Sequence, residues 1–335
     1  MPSRAQSNPM PVKGLERFKP NAVRPPGFLG FWDSTVAELA KIAPKPEILS
    51  SRTGDDGLTL HHLAYRSLGG TRIRGYLLRP ISGQPCPLVV HAHGYRDRYE
   101  HRVDWARRGL NVFGFDARGF GRSASANTVS EDGYLLTGIE SPATSILRGA
   151  VADYLQAARV ARQLLDDDVG TLVFYGFSFG GALALMAAAN SSDADLVVLG
   201  QPTFGWNEER RRLALGGSAL EVKQYVEKYR WRHDTVNDTL KYFDTLNFAP
   251  LVRAPTLVGI GLDDDVVPSR TVLAIVNHMH CPLEVRLLPV SHSDDPREAR
   301  WQAFHEEWLG YFEQGIPADF GAEQRQIRTL LDNAR

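Results

Sequence analysis

The segment Gly176-Phe177-Ser178-Phe179-Gly180-Gly181 constrains this chain more than any other feature. It follows directly on the apolar run Thr171 to Tyr175 and passes without a linker into the small-residue stretch Ala182 to Ala189. A strand that reverses into a helix within so few residues brings two backbones close together, and glycine on either side of the turn makes room for them. The serine at the centre is then held on a strained bend with its hydroxyl facing outward. Such a turn requires strands that feed into helices, which places the chain in the α/β class.

The rest of the sequence has that rhythm. The runs Pro87 to Ala92, Asn111 to Phe115, Thr171 to Tyr175, Asp195 to Gly200, Thr256 to Gly261 and Leu283 to Leu288 are short and rich in Val, Leu and Phe, as strands buried on both faces are. Between them, apolar residues recur at helical spacing, as in Val151, Tyr154, Leu155, Ala158 and Leu165, or Trp301, Phe304, Trp308 and Phe312. Two β-like runs, Leu58 to Ser67 and Thr71 to Leu78, are joined through Gly69-Gly70 as a hairpin. The pattern predicts a mostly parallel sheet with helices on both faces, built by right-handed crossovers. Residues 1–27 hold six prolines and form an extended N-terminal arm. Residues 28–313 are expected to form one domain, interrupted by a helical insertion at about 202–250 with helices near Ala219 to Tyr229 and Asp238 to Phe243. Residues 314–335 are a C-terminal tail in which Ile327, Leu330 and Leu331 are spaced as a helical apolar patch.

A serine on such a turn becomes a nucleophile when a histidine takes its proton and a carboxylate orients that histidine, and in this kind of fold the three follow in the order Ser, Asp or Glu, His. Asp263-Asp264-Asp265 ends the run from Thr256, and His292 follows the last strand. Both positions are loops at carboxyl ends of strands, where open α/β sheets build their sites. Spacing leaves the choice among the three aspartates open, since Asp263 or Asp265 could instead cap the next helix or face solvent. Tyr95, in His93-Gly94-Tyr95 after the run Pro87 to Ala92, is placed to supply an oxyanion-hole amide beside that of Phe179. Asp116 and Arg118, in the glycine-rich stretch that follows Phe115, are expected to fix loop shape. The rings of Trp105, Phe120, Phe204 and Trp206 lie near these positions in sequence and are candidate substrate-binding residues.

Other chemistry lacks its residues. His91-Ala-His93 and His278-Met-His280 have no accompanying carboxylate or cysteine set, so no metal is expected, and no phosphate-loop lysine supports a nucleotide. A net charge of -1 offers no field for nucleic acid or an anionic membrane. Cys86 and Cys281 form neither a disulfide framework nor a zinc site and are expected to be buried thiols. With no signal-like apolar run after Met1 and no stretch of membrane-spanning length, the expected location is cytoplasmic.

The chain also resembles a known family. Phe28-Leu-Gly-Phe31-Trp32-Asp33, His93-Gly94-Tyr95, Leu240-Lys-Tyr242-Phe243-Asp244 to Asn247, and Ile260-Gly261-Leu262-Asp263-Asp264 to Thr271 look like the acetyl xylan esterase and cephalosporin C deacetylase family of α/β-hydrolases, from about Leu15 to Phe312. The resemblance implies an α/β-hydrolase fold and a serine carboxylic ester hydrolase that removes short acyl groups, chiefly acetyl, from sugars or small alcohols. It implies Ser178 as nucleophile, Asp264 as its aspartate, His292 as base, and Tyr95 and Phe179 as oxyanion amides. It further implies no cofactor, a small-molecule ester substrate, and a homo-oligomer, commonly a hexamer. Three positions depart from the family pattern: Phe120 and Phe179 stand where it has glutamine, and Ser293 where it has glutamate. Two aromatic rings in place of amides suggest an alternative, a general short-chain esterase, lactonase or amidase acting on a more apolar substrate.

Overall fold

The computed structural model describes residues 18–22, 24–81, 85–166, 168–292, 297–321 and 326–329. Helix α1 (Phe28–Ala40) leads into the strands β1 (Glu47–Thr53), β2 (Leu58–Arg66), β3 (Arg72–Pro80) and β4 (Cys86–Ala92). Then come α2 (Val103–Arg107), β5 (Asn111–Asp116), α3 (Ile146–Leu164), β6 (Val169–Phe177), α4 (Phe179–Ala189) and β7 (Leu196–Gly200). Four helices separate β7 from the next strand: α5 (Asn207–Leu213), α6 (Gly217–Lys228), α7 (His233–Lys241) and α8 (Thr245–Phe248). The chain continues through β8 (Thr256–Gly261), α9 (Ser269–Val276), β9 (Leu283–Leu288), α10 (Arg297–Gln314) and β10 (Gln326–Thr329).

The ten strands form one sheet in the order β1-β2-β3-β5-β4-β6-β7-β8-β9-β10. The pairs β1/β2, β2/β3 and β3/β5 are antiparallel, and every later pair is parallel. Alternation along the strands divides the core. Leu88, Val90, Leu172, Phe174, Val197 and Leu199 face α3, α4 and α9, whereas Val89, Val173, Tyr175 and Val198 face α2 and α10. Strands covered on both sides explain why the sequence shows continuous apolar runs there. The Gly69-Gly70 link is a tight turn with both glycines at φ 72, a left-handed conformation that glycine adopts without strain.

Three elements extend this framework beyond the sequence reading. The segment Phe28 to Ala40 is a helix that buries Phe28, Trp32, Thr35 and Leu39, and β1 adds an exposed outer strand. In the tail, Gln326 to Thr329 is not helical but pairs in parallel with β9, Ile327 opposite Val285. Leu330 and Leu331 lie outside the described residues, as do residues 1–17 of the arm. Where the arm is described, Phe18 packs on Trp206 at 5.6 Å and Arg24 donates to the Asn247 carbonyl at 2.8 Å. Cys86 and Cys281 are half-buried rather than buried, Cys86 opening β4 and Cys281 preceding β9. No described helix is long and apolar enough to cross a membrane.

Candidate active site

The strand order reverses direction at β4: β5 lies on one side of it and β6 on the other. Crossovers leave that point on opposite faces of the sheet, which opens a crevice at the carboxyl ends of the two strands. Ala92 pairs with Gly176 there, so Tyr95 and Ser178 emerge side by side.

Ser178 sits between β6 and α4 with φ 52 and ψ -112. Backbone strain of this kind costs about 1–3 kcal/mol and persists only where neighbours over-determine it. They do: the Ser178 N–H donates to the Gly200 carbonyl at 2.8 Å, and its carbonyl accepts from Thr203 at 3.2 Å and Ala182 at 3.0 Å. The glycines allow the approach. A Cβ on Gly176 would stand 2.1 Å from the Gly180 carbonyl carbon, and one on Gly180 would stand 2.5 Å from the Ala92 carbonyl oxygen. The Phe179 N–H belongs to the first turn of α4, where amides have no intrahelical partner and the helix dipole favours negative charge.

His292 and Asp264 meet across the same crevice. The Nδ1 of His292 hydrogen-bonds Oδ2 of Asp264. The second oxygen, Oδ1, accepts from the backbone N–H groups of Val266 at 2.9 Å and Val267 at 2.7 Å. That geometry separates the three aspartates. Asp263 is exposed, and Asp265 accepts from the Ser291 hydroxyl at 3.1 Å. The His292 ring lies 5.2 Å from that of Phe177, and its Nε2 is buried with no hydrogen-bond partner among the described residues. Ser178 and His292 line one cleft of about 670 Å³.

The loop after β4 is held from beneath by His93. Its Nε2 accepts from the Ala117 N–H at 3.1 Å, so Nδ1 carries the proton and donates to the Gly94 carbonyl at 2.6 Å. Burial lowers the affinity of this imidazole for a second proton, keeping it neutral. Asp116 caps the same region, accepting from the N–H groups of Tyr99 at 2.6 Å and Arg122 at 2.7 Å. Arg118 points elsewhere and forms a buried bidentate pair with Asp153 on α3.

The four candidate substrate-binding rings do not line this cleft. Trp105 is buried in the core behind the cleft lining, edge-on to Tyr175 and Trp308 at 4.9 Å each and 5.7 Å from the ring of His91. Phe204 is buried beside Phe179 at 6.0 Å and under the guanidinium of Arg210. Trp206 faces a separate cavity of about 210 Å³ with Arg211 and Asp244. Phe120 stacks on Tyr134 at 4.1 Å and meets Phe179 at 5.6 Å, so the two departures from the family pattern touch each other. Both rings are buried in one aromatic cluster, and Ser293 lies outside the described residues. The cleft is lined instead by Tyr95 and the charged run Arg96, Asp97, Arg98, Glu100 and Arg102, together with Tyr175, Trp301 and His305. A signal for the charged wall was available, since it directly follows the oxyanion candidate in sequence. Among the described residues, no group of three or more His, Cys, Asp or Glu is placed to hold a metal ion.

The acetyl xylan esterase (AXE1) family model matches residues 6–308. The chain belongs to the acetyl xylan esterase family. It is 23% identical over 296 residues to the acetyl esterase Axe7A of Xylanibacter ruminicola, a match covering 82% of this chain and 65% of that protein. The chain thus spans slightly less than two thirds of that curated relative. The acetyl xylan esterase of Paenibacillus sp. R4 superposes with a TM-score of 0.80 at 26% identity, covering 92% of this chain and 100% of that one. Acetyl xylan esterase 1 of Thermoanaerobacterium sp. JW/SL YS485 gives 0.81 at 21% identity over 90% and 99% of the two chains, a likeness of fold. The α/β-hydrolase fold of the family is the fold of this chain.

Proposed function

We propose that this family member is a serine carboxylic ester hydrolase that removes short acyl groups, chiefly acetyl, from sugars or small alcohols through an acyl-enzyme. The observation that carries this reading is the His292 ring, oriented through Nδ1 by Asp264 and leaving a buried, unpartnered Nε2 in the cleft that Ser178 shares. In the reaction, Nε2 takes the Ser178 proton as Oγ bonds to the ester carbonyl carbon. The negative charge that moves onto the carbonyl oxygen is met by the Tyr95 and Phe179 amides. Collapse breaks the bond to the alcohol oxygen, which leaves with the proton held on His292. Water then repeats the sequence on the acyl-Ser178 and releases the acid.

The cleft chemistry supports a hydroxylated alcohol. Arg96, Asp97, Arg98, Glu100 and Arg102 offer donors and acceptors along one wall. The apolar alternative relied on Phe120 and Phe179, whose rings are 8% and 0% exposed and do not line the cleft.

A serine-directed fluorophosphonate tests the chemistry: it should label the wild type at Ser178 and leave Ser178→Ala unlabelled. Turnover of a chromogenic acetate should fall by roughly 10⁴- to 10⁶-fold in that variant. A folded Ser178→Ala protein that keeps more than a few per cent of activity would sink the proposal. For the substrate class, kcat/KM on acetylated xylose is compared with that on aryl esters of rising acyl length. A rate that climbs from acetate to octanoate would refute the short-acyl preference.

A further inference from the structure

Helix α6 of the insertion touches both loops on which the proposed chemistry depends. Glu221, one turn into that helix, accepts a hydrogen bond from the Tyr95 hydroxyl at 2.6 Å through Oε2. Its Oε1 lies 2.7 Å from the Arg96 guanidinium. The carboxylate is the built part of this contact, since the Glu221 side chain is 14% exposed and that of Arg96 70%. Arg96 has φ 58, a left-handed conformation that a non-glycine residue keeps only where neighbours hold it. Room for the carboxylate comes from Gly133 at φ 139, where a Cβ would stand 2.6 Å from Oε2.

The other face of Tyr95 is equally constrained. Its ring packs against Phe120, Phe179 and Tyr134 with centroids 5.8, 5.9 and 6.1 Å away. The side chain is therefore gripped by an aromatic cluster along its ring and by Glu221 at its hydroxyl. Burial, and then the bond to Glu221, raise the pKa of this phenol well above its ordinary value, so it stays a donor. The support itself is anchored. Buried Arg210 on α5 donates to the Ser218 hydroxyl in the first turn of α6 at 3.1 Å. At that end, a Cβ on Gly217 would be 3.0 Å from Val266, whose N–H holds Asp264.

We propose that Glu221 is a positioning residue for the hydrolysis: by holding the Tyr95 hydroxyl and the Arg96 guanidinium together, it aims the Tyr95 main-chain N–H at the oxyanion. This rests on the serine hydrolase reading above. An amide displaced rather than removed loses part of the roughly 10²- to 10³-fold effect of deleting a donor, so Glu221→Ala should lower kcat by about 10- to 100-fold. KM should stay within about 2-fold, because the oxyanion forms only after binding. Glu221→Gln keeps an acceptor for Tyr95 and should recover a large part of the loss. Tyr95→Phe should fall no further than Glu221→Ala, and the double variant no further than Glu221→Ala alone, as groups acting through one contact are non-additive.

The experiment measures kcat and KM of the four variants on a chromogenic acetate, with hydrogen exchange of the peptide spanning residues 94–98 as a readout independent of turnover. Faster exchange in Glu221→Ala, restored in Glu221→Gln, together with a loss confined to kcat, is the expected result. Should Glu221→Ala not fold, Tyr95→Phe removes one hydroxyl and tests the same loss. A folded Glu221→Ala with kcat within about 3-fold of wild type, or effects that simply multiply in the double variant, overturn the inference while Ser178 labelling stands. A wild type that neither labels at Ser178 nor cleaves esters overturns the hydrolase proposal, and this inference with it.

Discussion

Asp264→Asn changes no atom positions, yet the hydrogen-bond pattern dictates how the new amide must face. Oδ1 accepts two backbone N–H groups, at 2.9 and 2.7 Å, and Oδ2 receives the proton of His292 Nδ1. If the amide nitrogen took the Oδ1 place, two buried donors would face a third donor, at about 1–3 kcal/mol each, or roughly 2–6 kcal/mol in total. The oxygen therefore stays on Val266 and Val267, and the nitrogen points at His292. Two donors cannot share that contact, so the imidazole moves its proton to Nε2 and offers Nδ1 as the acceptor. In that tautomer Nε2 cannot take the proton of Ser178. At 1.36 kcal/mol per decade, forcing the reactive tautomer back against the roughly 2–6 kcal/mol amide flip costs about 30-fold to 3 × 10⁴-fold in rate. A tautomer trapped in a comparable triad loses about 10⁴-fold, near the upper end.

The assay is steady-state hydrolysis of a chromogenic acetate, normalised to protein that melts like wild type. We expect kcat to fall by about 10³- to 10⁴-fold. Asp263→Asn alters an exposed side chain and should stay within about 2-fold. Asp265→Asn keeps an acceptor for the Ser291 hydroxyl and should lose less than about 10-fold. A folded Asp264→Asn retaining more than about one thirtieth of wild-type kcat, or a larger loss from either neighbour, refutes the reasoning.

The buried pair of Arg118 and Asp153 should be costly to break, since both side chains are less than one tenth exposed and Arg118 also donates to the Leu68 carbonyl. Asp153→Ala leaves that guanidinium uncompensated and should lower the unfolding free energy by about 3–5 kcal/mol in a urea titration, and a loss below about 1 kcal/mol would refute it. Burial lowers the pKa of both His91 and His93 from 6.5, so the unfolded chain binds protons there that the folded chain does not. Their contribution to stability is full above pH 6.5 and is lost as the pH falls below it, by up to about 1.4 kcal/mol per pH unit for each ring. A melting temperature flat from pH 7 to about pH 5, or ring signals of His91 and His93 that titrate near the ordinary histidine value, would contradict this. Trp231, 76% exposed, and Leu215, 68% exposed, are large apolar side chains on the insertion, and we expect the protein to assemble into a homo-oligomer. Light scattering at micromolar concentration that finds only a 37.2 kDa species would refute that expectation.

The parallel part of the sheet was legible because both faces of each strand are covered, which leaves continuous apolar runs that no surface strand shows. The edges were not. β1 reads Glu47-Ile-Leu-Ser-Ser-Arg-Thr53 and is largely exposed, so nothing in its side chains records pairing with β2. β10 is four residues long, and the spacing of its single described apolar residue, Ile327, fits a helix as well as a strand. In these segments main-chain hydrogen bonds decide the structure, and they carry no side-chain pattern. Helix α1 differs: Phe28, Trp32, Thr35 and Leu39 recur at helical spacing, and the signal was present but masked by Gly30 and Asp33 within the run.

At the site, the legible residues were those whose role is tied to a backbone event. Ser178 needs a bend that glycine neighbours permit, and His292 and Tyr95 follow strand ends, so their proximity comes from topology. Spacing did not separate Asp264 from Asp263 and Asp265; the structure does so through the His292 contact and the Val266 and Val267 amides, a turn geometry that three consecutive aspartates conceal. The aromatic residues failed for the opposite reason. Trp105 lies twelve residues after His93 in the chain, yet α2 turns its ring into the core, packed on Tyr175, Trp308 and His91 behind the cleft lining. Nearness in sequence is preserved only along a strand or a short loop, and a side chain on the inner face of a helix is turned into the core. The charged residues from Arg96 to Arg102 stay at the cleft because they lie in the loop between β4 and α2. By the same logic the polar wall, more than the rings, should govern which alcohol this cleft accepts.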